Sequence, residues 1–254
     1  MRRRGTLRRI VLAVCSVGLL VSGGLFAEQW AEYRAGEAAY ETLAETALLS
    51  PEAPSEEETS VDRPERGEES LPQVDFDALS AVNPDIVGWL YLPDTSVSYP
   101  VVQGEDNVHY LTHLFDGTPN SAGCLFLDSG CTGLEGRNSV IYGHHMSNGT
   151  LFGDLDQYRD QDYWEEHPII YLITPEETMT VQIFSAYVTG EEWDAWKLTF
   201  SQGEYETWLE ELGERSCIES GITPRPAEQV LTLSTCDYTF PGARFVCHGV
   251  IRGD

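Results

Sequence analysis

Short apolar runs separated by turn residues make up most of the chain beyond residue 88. They are rich in β-branched and aromatic residues and are bounded by glycine, proline or polar clusters, which is typical of β-strands. The runs cover residues 88–92, 97–102, 123–127, 139–142, 169–173, 178–188, 230–235 and 244–251. Seven or eight short strands with helices inserted between them predict a mostly β fold, a small closed or partly open β-barrel.

Helical periodicity precedes this β pattern. Residues 28–49 indicate a polar, alanine-rich helix. Apolar residues then recur at helical spacing at Phe76, Leu79, Val82, Ile86 and Val87. Because Asn83-Pro84 interrupts that series, we expect one helix to end there and a new short helix to begin.

Two further helices are expected inside the β region. One is a local helix around residues 152–158. The other lies within residues 189–229 and is amphipathic, with an apolar face formed by Tyr205, Trp208, Leu209 and Leu212. Apart from a candidate strand near residues 197–200, that segment contains no apolar run of β type.

The N-terminus combines a basic cluster with an uncharged apolar segment. Residues 1–9 contain five arginines, and residues 10–26 carry no charge. Since arginine clusters stay on the cytoplasmic side of a membrane, this order predicts a cytoplasmic tail at 1–9 and a transmembrane signal anchor at 10–27. A cleaved secretory signal peptide is the alternative, although the bulky Leu25-Phe26 precedes Ala27 where cleavage requires small residues.

A change of composition marks the start of the globular part. Residues 50–70 are rich in proline, glutamate and serine and almost free of apolar residues, which indicates a solvated segment without a core. We therefore place a helical and disordered extracellular spacer at 28–70 and the globular domain at 71–254.

The charge balance excludes one class of function. The chain has 42 acidic and 15 basic residues, for a formal net charge of −27, and five of the basic residues are in the N-terminal cluster. The rest of the chain is therefore strongly acidic and repels phosphate, so we exclude nucleic-acid binding.

The cysteines do not follow a metal-binding spacing. They are Cys15, Cys124, Cys131, Cys217, Cys236 and Cys247. No CxxC pair is present, so no structural metal site is indicated. Cys124 and Cys131 are either bridged around a turn or two unpaired thiols. With Cys15 in the apolar segment, an odd number remains outside it, which allows one thiol to stay free for chemistry.

Three residues with complementary chemistry lie at the ends of predicted strands. Cys236 ends one run, Arg244 opens the next, and His144 follows an earlier one. A thiolate is a nucleophile, an imidazole can carry a proton to a leaving amine, and a guanidinium can stabilise an oxyanion. Each residue taken singly more often has a structural role. The set predicts thiol-based acyl transfer, provided that the last two strands are neighbours.

The same residues resemble the signature of a known family. Leu231-Thr-Leu-Ser-Thr-Cys236 followed by Arg244 resembles the TLxTC…R motif of sortases, and Tyr142-Gly-His144 resembles their catalytic histidine motif. Residues 83–90, 97–111, 123–128 and 189–229 look like class B sortases in particular. The resemblance covers about residues 71–252. It implies a closed seven- or eight-stranded sortase-type barrel with N-terminal helices and a helix between the sixth and seventh strands.

The resemblance implies a cysteine transpeptidase, with 71–254 as its catalytic domain. Cys236 would attack the carbonyl after the threonine of a C-terminal sorting signal in a secreted protein. His144 would act as general acid and then base, and Arg244 would stabilise the oxyanion. An amine of a peptidoglycan precursor would resolve the thioacyl intermediate. The enzyme would be a single-pass protein of a Gram-positive-type cell membrane, with its catalytic domain outside the cell.

The resemblance also implies a groove for the sorting signal, lined by Asn107, Leu111, Ser234 and Thr235. In one respect the chain departs from the pattern, because His145 stands where class B sortases often have asparagine. No cofactor is expected, and we expect activity that does not depend on a metal.

Two alternatives accompany this interpretation. Another cell-wall cysteine transpeptidase, such as an L,D-transpeptidase, would have glycine before its cysteine, whereas Thr235 precedes Cys236 here. A catalytically silent, membrane-anchored binding module would keep the barrel without a reactive thiol. The reactivity of Cys236 toward thiol reagents separates an enzyme from such a module.

Overall fold

The computed structural model describes residues 2–49, 71–190 and 192–252, with only the backbone at residues 2–14 and 49. Residues 50–70 of the spacer predicted at 28–70 therefore lie outside the described residues, and the helix predicted at 28–49 falls within the described part.

The described strands form a closed barrel and one small sheet. The small sheet pairs β1 (Leu48–Leu49) with β2 (Gln73–Val74). The barrel consists of β3 (Ile86–Tyr91), β4 (Ser98–Val102), β5 (Leu125–Leu127), β6 (Asn138–Tyr142), β7 (Ile169–Ile173), β8 (Thr178–Thr189), β9 (Val230–Cys236) and β10 (Arg244–Arg252). Closure removes the unpaired edges that an open sheet would expose. The prediction of a mostly β fold with a closed barrel is confirmed.

The order of strands brings three strand ends together. Around the barrel the order is β10-β8-β7-β3-β4-β5-β6-β9. Most neighbours are antiparallel, but β4 with β5 and β6 with β9 are parallel pairs. Parallel neighbours end at the same edge, and β10 runs antiparallel to β9. The last residues of β6 and β9 and the first of β10 therefore meet at one end of the barrel.

Of the described α-helices, one precedes the first strand, and the other three occupy connections between strands. The helices are α1 (Arg2–Ala47), α2 (Phe76–Val82), α3 (Gln161–Glu166) and α4 (Glu204–Arg215). The amphipathic helix predicted between the sixth and seventh barrel strands is α4, and it buries the four expected side chains. The local helix expected near 152–158 is a 3-10 helix at Leu155–Arg159. The candidate strand near 197–200 is wrong, because these residues have irregular backbone.

The short helix expected after Asn83-Pro84 is also wrong. The side-chain oxygen of Asn83 accepts the Asp85 amide at 2.9 Å, and its side-chain nitrogen donates to the Phe115 carbonyl at 2.7 Å. These bonds hold a turn that ends the helical series. Ile86 then begins β3 instead of a helix. A long-range contact of one amide therefore overrides the local periodicity.

The core has two parts that share β10. The larger cluster fills the barrel and includes Phe245 and Cys247. The smaller cluster includes Val246 and Val250 and packs under Trp208 of α4. Side chains of successive strand residues point to opposite faces, so β10 supplies both clusters in alternation.

The C-terminal part of α1 packs on the barrel. Tyr40 and Ala47 are buried there, and the Ala47 carbonyl accepts the Asp75 amide at 2.8 Å. Within the described part of the chain, no helix has both the length and the apolarity that a membrane crossing demands. The side chains of residues 10–14, where the predicted anchor starts, lie outside that part.

Candidate active site

Cys236 and Arg244 oppose each other across the last two strands. Cys236 is the last residue of β9, Arg244 is the first of β10, and the two are direct partners in the antiparallel register. Directly opposed residues project their side chains from the same face of a sheet. The prediction of acyl-transfer chemistry required the last two strands to be neighbours, and β9 and β10 are paired.

His144 reaches the same place because β6 runs parallel to β9. The pairing continues beyond the end of β6. The Gly143 amide donates to the Ser234 carbonyl at 3.2 Å, and the Thr235 hydroxyl donates to the Gly143 carbonyl at 2.8 Å. Continuing this register beyond the strand ends, His144 lies opposite Cys236.

Only glycine fits at position 143. A Cβ there would lie 2.6 Å from Cδ2 of Phe152 and would also overlap Leu125. The Phe152 amide in turn donates to the His144 carbonyl at 3.2 Å. The backbone on both sides of the histidine is therefore fixed by packing and hydrogen bonding.

The imidazole of His144 has a defined tautomer. Its Nε2 lies 2.8 Å from the Leu111 carbonyl oxygen. A carbonyl oxygen only accepts hydrogen bonds, so Nε2 carries a proton in both the neutral and the charged ring. The nitrogen that gains and loses a proton is therefore Nδ1.

One cavity contains all of the predicted site residues. Its volume is about 240 Å³. The predicted residues that line it are Cys236, His144, Arg244, Asn107, Leu111, Ser234 and Thr235. Phe126, Tyr142 and Gly143 complete the lining. The roles given to these residues stay predictions, and the structure places them around a single space.

The amide of Asn107 is oriented by a buried carboxylate. Its nitrogen donates to Oδ2 of Asp128 at 2.9 Å, and its oxygen accepts the Ser129 amide at 2.8 Å. The Tyr142 hydroxyl donates to the same Asp128 oxygen at 2.9 Å. One N–H and one lone pair of Asn107 thus stay available to a peptide. Sequence reasoning missed Asp128, although it directly follows a predicted strand.

The hydroxyl groups of Ser234 and Thr235 have different hydrogen-bond partners. The Ser234 hydroxyl oxygen accepts from the indole Nε1 of Trp196 at 2.9 Å. The hydrogen of that hydroxyl is therefore free to point elsewhere. The Thr235 hydroxyl donates its hydrogen to the Gly143 carbonyl, so we expect this residue to shape the cavity wall and not to donate to a ligand. Trp196 was also missed, because it lies in a segment without a regular pattern.

Asp237 follows the cysteine and belongs to a charged pair. Burial by itself would raise the pKa of its carboxyl. Hydrogen bonds from Thr239 and the charges of Arg159 and His145 outweigh burial and hold the pKa below its ordinary value. Arg159 forms a direct ion pair with it. Asp237 is thus an ionised carboxylate engaged by its neighbours, which sequence reasoning also missed.

His145 has a different environment from His144. It is not among the residues that line the cavity. Its ring meets Tyr238 edge-on, with centroids 5.6 Å apart, and its backbone pairs with Leu151. Within the described part of the chain its buried Nδ1 has no hydrogen-bond partner. The geometry therefore favours His144 as the proton carrier.

The other thiols of the barrel are less suited to nucleophilic attack. None of the described cysteines is bridged, so Cys124 and Cys131 are two separate thiols. Burial raises the pKa of Cys124 to about 12 and holds the pKa of Cys247 well above its ordinary value. It also raises the pKa of Cys131 and of Cys217. Cys236 is the cysteine that lines the cavity.

Comparisons with known proteins agree with this geometry. The family model described as "Sortase domain" matches residues 90–251. A sortase B of Staphylococcus aureus is 34% identical over 165 residues, which are 64% of this chain and 67% of the relative. The X-ray structure of Clostridium perfringens sortase B is 31% identical with a TM-score of 0.67, covering 70% of this chain and 100% of that one. A Staphylococcus aureus sortase B–substrate complex is 32% identical with a TM-score of 0.66, covering 70% and 84%. The chain therefore belongs to the sortase family, in class B, whose members are cysteine transpeptidases.

Proposed function

We propose that this enzyme cleaves a C-terminal sorting signal after its threonine and transfers the secreted protein to an amine of a peptidoglycan precursor. The observation that carries the proposal is the single cavity that holds Cys236, His144 and Arg244. The cavity lies at the end of the barrel where β6 and β9 end and β10 begins.

The acylation step follows from the chemistry of these groups. The thiolate of Cys236 attacks the carbonyl carbon, a C–S bond forms, and the carbonyl electrons move to oxygen. Arg244 donates hydrogen bonds to that oxyanion. When the oxyanion collapses, the C–N bond breaks and the leaving amine takes the proton from Nδ1 of His144. The product is a thioester on Cys236.

The second step reverses the proton movement. The acceptor amine attacks the thioester, and His144 takes a proton from it. The C–S bond breaks, the new amide is released, and the thiolate and imidazolium are restored. Water can replace the amine, which gives hydrolysis. The cycle balances without an oxidant or a cofactor.

The cavity also contains groups that can hold the sorting signal. We propose that Asn107 and Ser234 hydrogen-bond to the peptide and that Leu111 packs on it, with Thr235 shaping the wall. The spare donor and acceptor of Asn107 and the free hydroxyl hydrogen of Ser234 support this assignment.

We further propose that the N-terminal segment anchors the enzyme in the cell membrane with the barrel outside. The five arginines before the uncharged stretch support that orientation. The continuous helix α1 connects that stretch to the barrel. In intact cells, added protease should degrade a tag at the C-terminus. A tag that is protected until the cells are lysed would contradict the proposed orientation.

The cleavage proposal is tested with the full chain in detergent micelles and a library of fluorogenic sorting-signal peptides. We expect cleavage after threonine and a mass increase on Cys236 that matches the thioester. The Cys236→Ala variant is the control. If no peptide is cut and Cys236 does not react with a methanethiosulfonate, the silent binding module is the better description. A fragment beginning at Leu71 would lack the packing of α1, so the full chain is preferred.

A further inference from the structure

We propose that α1 is a positioning element of the active site, and that it holds the imidazole of His144 in place through residues 120–123. The eight strands close the barrel by themselves, and α1 packs on its outside. The packing of α1 is therefore not needed for closure of the barrel and calls for another explanation. The proposal rests on the proposed function only for its kinetic readout.

Three hydrogen bonds join α1 to the loop that precedes β5. The Tyr40 hydroxyl donates to the Gly123 carbonyl at 2.5 Å. The Asn120 side-chain nitrogen donates to the Glu32 carbonyl at 3.0 Å, and the Ser121 amide donates to the Glu32 carboxylate at 2.8 Å. All three connect residues that are more than 80 positions apart in the chain. The loop is thus clamped by the helix at several points.

The helix approaches this loop as closely as its side chains allow. At Gly36, which is buried, a Cβ would lie 3.1 Å from the side-chain oxygen of Asn120 and 3.3 Å from Cβ of Ala122. The ring of Tyr40 meets the ring of Tyr99 edge-on at 5.4 Å. A larger residue at Gly36 would push the helix away from the loop.

Gly123 lies between Tyr40 of α1 and the Leu111 carbonyl that orients the histidine. It has a φ of +64°, and a Cβ on it would lie 2.5 Å from the Tyr110 carbonyl oxygen and 2.9 Å from that of Leu111. The backbone of Gly123 therefore packs directly against the Leu111 carbonyl. The neighbouring Cys124 amide donates to the Tyr110 carbonyl at 2.9 Å and fixes the register of the two segments.

The last contact is the one between Leu111 and His144. The carbonyl oxygen lies 2.8 Å from Nε2 and determines which nitrogen exchanges protons. A contiguous series of contacts thus runs from Tyr40 through Gly123 and Leu111 to His144. Because the Tyr40 bond is buried, losing it leaves a carbonyl without a donor, and the loop must shift to find one. A shifted carbonyl would weaken the orientation of the imidazole.

The test compares the full-length Tyr40→Phe variant with the wild type in detergent micelles. Phenylalanine keeps the ring contact with Tyr99 and removes only the hydroxyl. We expect kcat to fall about three- to tenfold, as for one buried hydrogen bond, with KM unchanged. Thr42→Ala is the matched control, because this hydroxyl donates within the helix to Ala38 at 2.8 Å. It should leave kcat unchanged.

A structural readout makes the test independent of peptide cleavage. The ¹⁵N resonances of the His144 ring, assigned by their loss in His144→Gln, report the tautomer and the Nε2 hydrogen bond. We expect them to move in Tyr40→Phe and to move further in Gly36→Leu. Wild-type resonances and kcat in Tyr40→Phe, with only a lower melting temperature, would reduce α1 to a stabilising element and overturn the proposal.

The outcomes also separate the two proposals. If wild-type enzyme cuts no peptide but the His144 resonances move in both variants, the proposed function fails and the positioning role stands. If peptides are cut and the resonances stay fixed in both variants, the function stands and the positioning role fails.

Discussion

His144 and His248 are two imidazoles of the same domain in contrasting environments. His144 lines the open cavity and uses one ring nitrogen for the Leu111 carbonyl. His248 is fully buried under α4, where both nitrogens are engaged, by the Tyr187 hydroxyl at 3.0 Å and the Thr232 hydroxyl at 2.9 Å. Burial lowers the pKa of His248 to about 3, so its ring stays neutral. Of the two, His144 is the histidine whose position at the cavity is compatible with the proposed proton transfer.

The cysteines of β9 and β10 repeat this contrast. Cys236 lines the cavity, whereas Cys247 is enclosed in the barrel core. Both lie on the strands that carry the active site. Two residues of the same type therefore receive different environments from the fold, and only that of Cys236 suits the proposed nucleophile.

The largest effect is expected from exchanging the two thiols for alanine. Cys236→Ala should abolish turnover, because no other thiol lines the described cavity. Cys247→Ala should keep kcat near the wild-type value and lower the free energy of unfolding by about 1 kcal/mol through lost packing. Steady-state cleavage and urea unfolding measure the two effects. Residual turnover in Cys236→Ala would contradict the proposed thioester mechanism.

The next effect concerns the cation opposite the cysteine. Arg244→Ala should reduce kcat by on the order of 10²-fold or more, because an oxyanion loses its donor. Arg159→Ala is a useful comparison, since that guanidinium pairs with Asp237 outside the cavity lining. It should affect stability more than kcat. Equal losses of kcat in both variants would contradict a specific role for Arg244.

A smaller effect is the pH dependence of stability expected from the buried His248. The unfolded chain takes up a proton on His248 below about pH 6.5, and the folded protein does so only near pH 3. The free energy of unfolding should therefore fall as pH falls between these values, by up to about 1.4 kcal/mol per unit. Urea unfolding should show a shallower slope in His248→Gln than in wild type. A wild-type slope in His248→Gln would contradict the assignment of this pH dependence to His248.

The smallest effect is expected at the wall of the cavity. Trp196→Phe keeps an aromatic ring and removes the indole N–H that donates a hydrogen bond to the Ser234 hydroxyl. We expect kcat/KM to fall about two- to fivefold through KM, since one hydrogen bond that orients a substrate contact is lost. Ser234→Ala should then add little to Trp196→Phe. Additive losses in the double variant would show that the two residues act separately.

Much of the fold followed from local patterns. Alternating short apolar runs predicted the barrel strands, and the helical stripe of Tyr205, Trp208, Leu209 and Leu212 predicted α4. Local patterns failed where a distant group decided the backbone. The bonds of Asn83 to Asp85 and Phe115 replaced an expected helix by a turn and a strand. Burial of one side of α1 was likewise hidden, because its partner surface lies far away in the chain.

The sequence by itself determined the class of chemistry. Cys236, His144 and Arg244 are recognisable because their residue types and motifs are local properties of the chain. Only the tertiary structure decided how these groups are held. The parallel pairing of β6 with β9 brings His144 to Cys236, and the Leu111 carbonyl selects its tautomer. Such contacts join residues distant in sequence, and they arise only when the closed barrel fixes both partners in one geometry.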